Sequence, residues 1–241
     1  TGAGLALAGV FAIATTWPAS AHETHQIAQN EDIQIGATKL TDTLTMLAGI
    51  NGFSGGNVVV SSGPDGMLIV DNKLQTMTAK LNAALDELGG RDTLRFVVNT
   101  HWHFDHAGGN SELGKDATIV AHTNVRKRLS TDQKLEAFGM SFPAGPASAL
   151  AVVTYDQSAS IHLNGEEIRL VHYPASHTDG DTVVYFTQSN VLHTGDLFFN
   201  GLFPFVDVEN GGTVQGMAAN TAAILAAFPD DVTIVPGHGP V

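Results

Sequence analysis

The chain predicts an α/β fold: one domain built in two similar halves. Three observations carry this. Short β-rich runs are separated by Gly-, Pro- and Asn-containing turns. Two helical segments lie far apart, each following a set of strands. Apolar residues make up 43% of the 241, ample for a buried core.

Taken in order, residues 1–21 read as a secretory signal. The apolar stretch Leu5–Ala14 is followed by Ala19, Ser20 and Ala21, an A-x-A cleavage pattern before His22. The basic leader and initiating Met are absent, so the chain is expected to begin inside that signal. Cleavage would leave residues 22–241 as the mature domain, in the periplasm or outside the cell, with His22 and His25 solvated at the new terminus. β-type runs occupy Gln34 to Val70, where Asn57–Val60 and Met67–Val70 flank a Gly63–Gly66 turn. Met77, Leu81, Leu85 and Leu88 then form one helical stripe, stopped by Gly89 and Gly90. In the second half, Asn164-Gly165 between two alternating runs predicts a hairpin. A second helix is expected over Val214–Phe228, with Thr213 as N-cap and Pro229 as its stop.

The densest chemistry lies just after the strand-like run Leu94–Val98. His101, His103, Asp105 and His106 fall within six positions. Imidazole nitrogens and carboxylate oxygens are the usual ligands of a catalytic zinc. In a turn after a strand, His101 and His103 point together while Asp105 and His106 turn toward a second site. Two metals about 3.5–4 Å apart would share a hydroxide and polarise a carbonyl or phosphoryl oxygen. Three further turns supply more ligands: His177 in Pro174–Gly180, Asp196 at the end of the run Asn190–Asp196, and His238 after Val232–Val235. Each follows a β-rich run and carries Gly or Pro.

In this order, H-x-H-x-D-H, His, Gly-Asp and Pro-Gly-His-Gly resemble the metallo-β-lactamase-fold superfamily of hydrolases, over roughly residues 36–241. The resemblance implies a four-layer αβ/βα sandwich with the metal site at one edge between two sheets. It implies a first zinc on His101, His103 and His177, a second on Asp105, His106 and His238, and Asp196 bridging them. Two Zn2+ are therefore the expected cofactors, with iron and manganese left open. Several zinc β-lactamases have Cys where Asp196 stands, and this chain has no Cys. The Asp version is more similar to glyoxalase II and lactonases. The loop Ser176–Asp181 departs from the family's usual Pro-Gly-His-Thr-Pro-Gly turn. Relatives usually continue beyond the last ligand, so the end at Val241 reads as a truncation.

The implied reaction is hydrolysis of amide or ester carbonyls by a hydroxide shared between the metals, with Asp105 also orienting it. β-Lactams are the first expectation; lactones and thioesters follow. The rivals are a mononuclear iron oxidoreductase of the same fold and a binding-only accessory protein. A net charge of −13 argues against nucleic acid, and no run of 18 apolar residues marks a membrane span in the mature chain. The expected partner is a small-molecule substrate; the oligomeric state is left open.

Phe53, in the Gly-rich turn Asn51–Asn57, is a candidate to stack on substrate. Leu135–Leu150 is read either as a mobile apolar lid or as a packed connection. Phe198, Phe199, Phe203 and Phe205 read as core or as a pocket wall, and Asn200 is a candidate oxyanion donor. Asp71, at the end of Met67–Val70, is expected to accept from a ligand histidine, and His193 to orient a ligand from behind. His122, His162 and His172 read as structural or solvated.

Overall fold

A computed structural model of the protein describes residues 32–241. The segment read as a signal lies outside the described residues, as do His22 and His25. The first sheet contains β1 (Gln34–Lys39), β2 (Leu44–Ile50), β3 (Val58–Gly63), β4 (Gly66–Val70), β5 (Leu94–Val98) and β6 (Thr118–His122). A small hairpin, β7 (Gln133–Leu135) with β8 (Met140–Phe142), follows, and β9 (Val153–Tyr155) closes the first sheet in the order β1-β2-β3-β4-β5-β6-β9. The second sheet runs β10 (Ser158–Leu163), β11 (Glu166–His172), β12 (Thr182–Phe186), β13 (Val191–His193) and β14 (Thr233–Val235). The helices are α1 (Thr78–Leu88), α2 (Phe104–Ala107), α3 (Asn110–Leu113), α4 (Thr123–Leu129) and α5 (Val214–Ala227).

Side-chain alternation along the strands builds four layers. In β4, Leu68 and Val70 face the second sheet, meeting Leu170, Val184 and Phe186 in the central core. Met67 and Ile69 face the opposite way, onto Leu81 and Leu85 of α1. The second sheet repeats the pattern: Val184 and Val191 point inward, while Val183 and Leu192 pack against Met217 and Ile224 of α5. Both faces of each central strand are buried, which explains their nearly continuous Val, Leu and Ile runs. The α1 stripe behaves as expected, and Gly89 ends the helix at φ 150° with its N–H donating to Leu85 O. Thr213 caps α5 through its side chain, which accepts from Gly216 N–H.

Strand direction places the site. β4, β5 and β6 are parallel. In the second sheet, β13 and β14 are parallel, and two antiparallel steps through β12 make β11 run the same way as β13. The ligand-bearing turns therefore leave the carboxyl ends of β5, β11, β13 and β14 at one edge of the sandwich. Backbone hydrogen bonds join the two sheets there: Asn57 N–H donates to Gly237 O at 2.7 Å and Thr182 N–H to Thr100 O at 2.8 Å.

Candidate metal centre

The seven expected ligands converge as two adjoining sets. His101, His103, His177 and Asp196 bring one ligand atom each within 4.8 Å of one another, and so do Asp105, His106 and His238. Asp196 belongs to both. Its Oδ2 stands 3.4 Å from His177 Nε2 and 3.5 Å from His238 Nε2, and its Oδ1 lies 3.1 Å from His106 Nε2. Asp105 Oδ2 approaches His238 Nε2 at 3.2 Å.

The outward nitrogens of the rings decide what the inward ones offer. His177 Nδ1–H donates to Phe205 O at 2.8 Å, leaving a lone pair on Nε2. His103 Nε2–H donates to Asp207 Oδ2 at 2.9 Å, leaving Nδ1 bare. Thr100 Oγ1–H donates to Asp71 Oδ2 at 2.8 Å, so its oxygen accepts from His101 Nδ1–H at 2.9 Å and His101 Nε2 is bare as well. His103 Nδ1 lies 3.1 Å from His101 Nε2 and 2.8 Å from His177 Nε2. Three lone pairs thus face one point with no proton between them, an arrangement that a cation resolves.

The second set poses the same problem in another form. His106 Nδ1–H donates to Asp71 Oδ2 at 2.7 Å, so a neutral ring turns its Nε2 lone pair on Asp196 Oδ1. That carboxylate oxygen is buried and accepts no hydrogen bond from a neutral ring. Without a metal the ring takes up a proton. Burial opposes the charged form of His106, but Asp196, Asp105 and Asp71 outweigh it and raise its pKa well above the ordinary value. His238, despite burial, is pushed up to about 9 by hydrogen bonds to Asp105 and Asp196. The first set behaves oppositely: burial lowers His101 well below its usual value and brings His177 down to about 4. For Asp196, burial favours the acid, yet His106 and His177 hold the carboxyl well below its ordinary range. Nitrogen and oxygen donors in these numbers fit divalent metal ions in both sets.

Several elements force this geometry. Asp71 follows β4 at φ 63°, and Lys73 comes two residues later at φ 66°, left-handed conformations that cost on the order of 1 kcal/mol each in a non-glycine residue. Asp71 is held there by Thr100 N–H, Thr100 Oγ1–H and His106 Nδ1–H. Lys73 is fully buried; its Nζ donates to Ser54 Oγ at 3.1 Å and Gly56 O at 2.9 Å, fixing the loop beside the ligand cluster. Burial brings its pKa down to about 8, against Asp71 and Asp105. Gly56 must be glycine, because a Cβ there would run into the His106 ring; at Gly237 it would run into Asp196 Oδ1. Asn57 Nδ2 donates to Pro236 O and Gly239 O, clamping the turn that presents His238.

The remaining candidates sort as follows. Asp71 takes the expected place, and also reaches His101 through Thr100. His193 touches no ligand side chain: its Nδ1 accepts from Gly195 N–H and its Nε2–H donates to Asn57 O, bracing the backbone that carries Asp196. Phe53 lies over the site, its ring 5.7 Å from that of His238, and Phe199 stacks near the same ring at 5.5 Å. Asn200 donates one side-chain N–H to Pro240 O at 2.9 Å and is not among the residues lining the cavity over the ligand cluster. The Leu135–Leu150 segment divides. Leu135, Phe138 and Met140 line a cavity over the ligand cluster, whereas Ser148 and Ala149 pack on α3 as a connection. Phe199, Phe203 and Phe205 line that cavity and Phe198 does not. His122 and His172 stack on each other at 3.6 Å, and His162 is exposed.

Thr100, Lys73, Asn57 and Asp207 were not singled out by sequence. Asp207 acts on a histidine 104 positions away, and no local pattern marks it. Asn57 sat inside the Gly-rich turn, where an amide between glycine and a β-run was the available signal.

Two adjoining His/Asp groups, each able to hold a metal ion and with Asp196 near both, sit at strand ends between the two sheets of a four-layer sandwich. A model of the metallo-β-lactamase superfamily matches residues 38–238, and the chain belongs to that superfamily. It is 28% identical over 144 residues to a hydroxyacylglutathione hydrolase of Polaromonas, covering 59% of this chain and 47% of the relative. It is 30% identical over 151 residues to a probable hydroxyacylglutathione hydrolase of Schizosaccharomyces pombe, covering 60% and 48%. The chain thus spans about half the length of these curated relatives. A metallo-β-lactamase from Pontibacter korlensis shares the fold at a TM-score of 0.67 and 17% identity, covering 86% of this chain and 92% of that one.

Proposed function

We propose that the protein is a dinuclear zinc hydrolase of carbonyl compounds, with esters, thioesters and lactones ahead of β-lactams. The observation that carries this is the pair of adjoining ligand sets sharing Asp196, each facing lone pairs that only a cation or added protons can reconcile. His101, His103 and His177 would hold one ion, Asp105, His106 and His238 the other, with Asp196 between them. When bound, two such ions activate water near neutral pH and polarise the carbonyl under attack. The chain's own work is positional. Asp207, Thr100, Asp71 and Phe205 O fix which nitrogen each histidine presents, and Asp105 is placed to orient the attacking water.

The order of substrates leans on the sequence relatives named hydroxyacylglutathione hydrolase and on an Asp at position 196. The β-lactamase likeness is one of fold alone. A mononuclear iron enzyme would leave His106 and His238 without employment, although Asp71, Asn57 and Gly56 are arranged around them. The Leu5–Ala21 pattern supports export to the periplasm or beyond.

The test is elemental analysis of the purified protein, paired in the same sample with turnover of an ester, a thioester, a lactone and a chromogenic cephalosporin. Two zinc ions per chain with chelator-sensitive turnover are expected. A single iron, or two zinc ions with no turnover of any of the four, overturns the reading.

A further inference from the structure

A cavity of ≈ 490 Å³ opens onto the ligand cluster, within the size range of small-molecule sites. His103, Asp105, Asp196 and His238 form its floor. Its walls come from three separate segments: Phe53 from the loop before β3, Phe138 and Met140 from the β7–β8 hairpin, and Leu202 and Phe203 from the stretch after Asp196. These side chains stand open to solvent, Phe53 at 55% exposure, Phe138 at 59%, Leu202 at 60% and Phe203 at 99%. Large apolar groups from three segments gathered about one mouth mark a surface made to be covered.

Charge around the cavity is one-sided. Among the described residues lining it there is no Lys or Arg. The cleft next to it, shared through Leu135 and Phe205, adds Glu136 and Glu209. The neighbouring cations are committed elsewhere: Lys134 to Glu136 at 3.6 Å, and Arg128 to both oxygens of Asp179 and to Asn210. A carboxylate held among these side chains would meet Glu136 and Glu209 nearby and no lysine or arginine in the cavity wall.

We propose, building on the hydrolase reading above, that the substrate is an uncharged ester, thioester or lactone whose acyl group is a medium-length or aromatic apolar chain seated among Phe53, Phe138, Leu202 and Phe203. Water adds to the carbonyl carbon, the bond to the leaving oxygen or sulfur breaks, and that atom takes the proton. Glutathione thioesters carry two carboxylates remote from the scissile bond, so this cavity selects against them.

The experiment has two arms on the zinc-loaded protein. In the first, kcat/KM is measured for 4-nitrophenyl acetate, butyrate, hexanoate and octanoate, and for the octanedioate half-ester. Each added methylene is expected to raise kcat/KM by up to about fourfold until the cavity is filled. The terminal carboxylate is expected to lower it by tenfold or more against octanoate, and Phe138→Ala with Phe203→Ala to flatten the series. In the second arm, calorimetry follows binding of neutral methyl ketones of matching lengths, which need no turnover. Affinity rising with length supports the assignment; affinity independent of length, or kcat/KM favouring the half-ester, overturns it. Rising affinity without turnover of any ester overturns the hydrolase reading and leaves the cavity's ligand class standing. Turnover with flat affinity does the reverse.

Discussion

The two ligand sets lie side by side and differ in how they hold protons. The His101–His103–His177 set is buried, and its desolvated rings at 101 and 177 stay neutral, ready for metal. The Asp105–His106–His238 set has more carboxylate around it, and His238 keeps a partly open edge. Its rings therefore carry protons when no metal is present. Burial alone would make the two sets alike; the position of Asp105 and Asp196 separates them. One set is a metal site at rest, and the other must exchange protons for its ion.

The sharpest way to break that difference is to remove what the sets share. Asp196→Ala is expected to lower metal content in both and to cut turnover by about 10³-fold or more, since several kcal/mol of charge stabilisation is lost. Metal analysis beside turnover checks this; retention of two ions would show that the bridge is dispensable. A pH series sharpens the comparison next. His238 binds a proton up to about pH 9, so metal at the second set competes with protons throughout the neutral range. Its apparent affinity is expected to rise by about tenfold per pH unit for each proton displaced. At the first set His177 gives up its proton near pH 4, so its affinity should be nearly flat from pH 6.5 upward. Chelator competition between pH 6 and 9 reads both, and equal slopes would refute the distinction. The smallest effects come from bracing residues. Asp207→Asn should weaken metal at the first set by about 10–100-fold and spare the second, while Asn57→Ala should do the reverse more mildly. Two-step metal titrations separate them.

Much of this was legible in the chain because ligands, turns and helix stripes are written locally. His101 to His106 fall within six positions that run from the end of β5 into α2, and Asn164-Gly165 forms the hairpin its flanking alternation requires. The four-layer arrangement followed from the family resemblance, and the packing shows its cause in strands apolar on both faces. The braces were not legible. Asp207 meets His103, and Lys73 meets Ser54 and Gly56, through folds of the chain that no period or motif anticipates.

The joining of the sheets at the metal edge has a mechanical consequence. His101, His103, Asp105 and His106 hang from one sheet, and His177, Asp196 and His238 from the other. An ion bound by both groups would be a rivet pinning the two sheets together at that edge. The full ligand sets assemble only when the two sheets are in register. At a free metal concentration a hundred times the dissociation constant, one such ion would add about 2.7 kcal/mol to the closed form. A chelator would thus act on this protein as a mild denaturant of one seam, loosening the sandwich along the edge where its substrate enters.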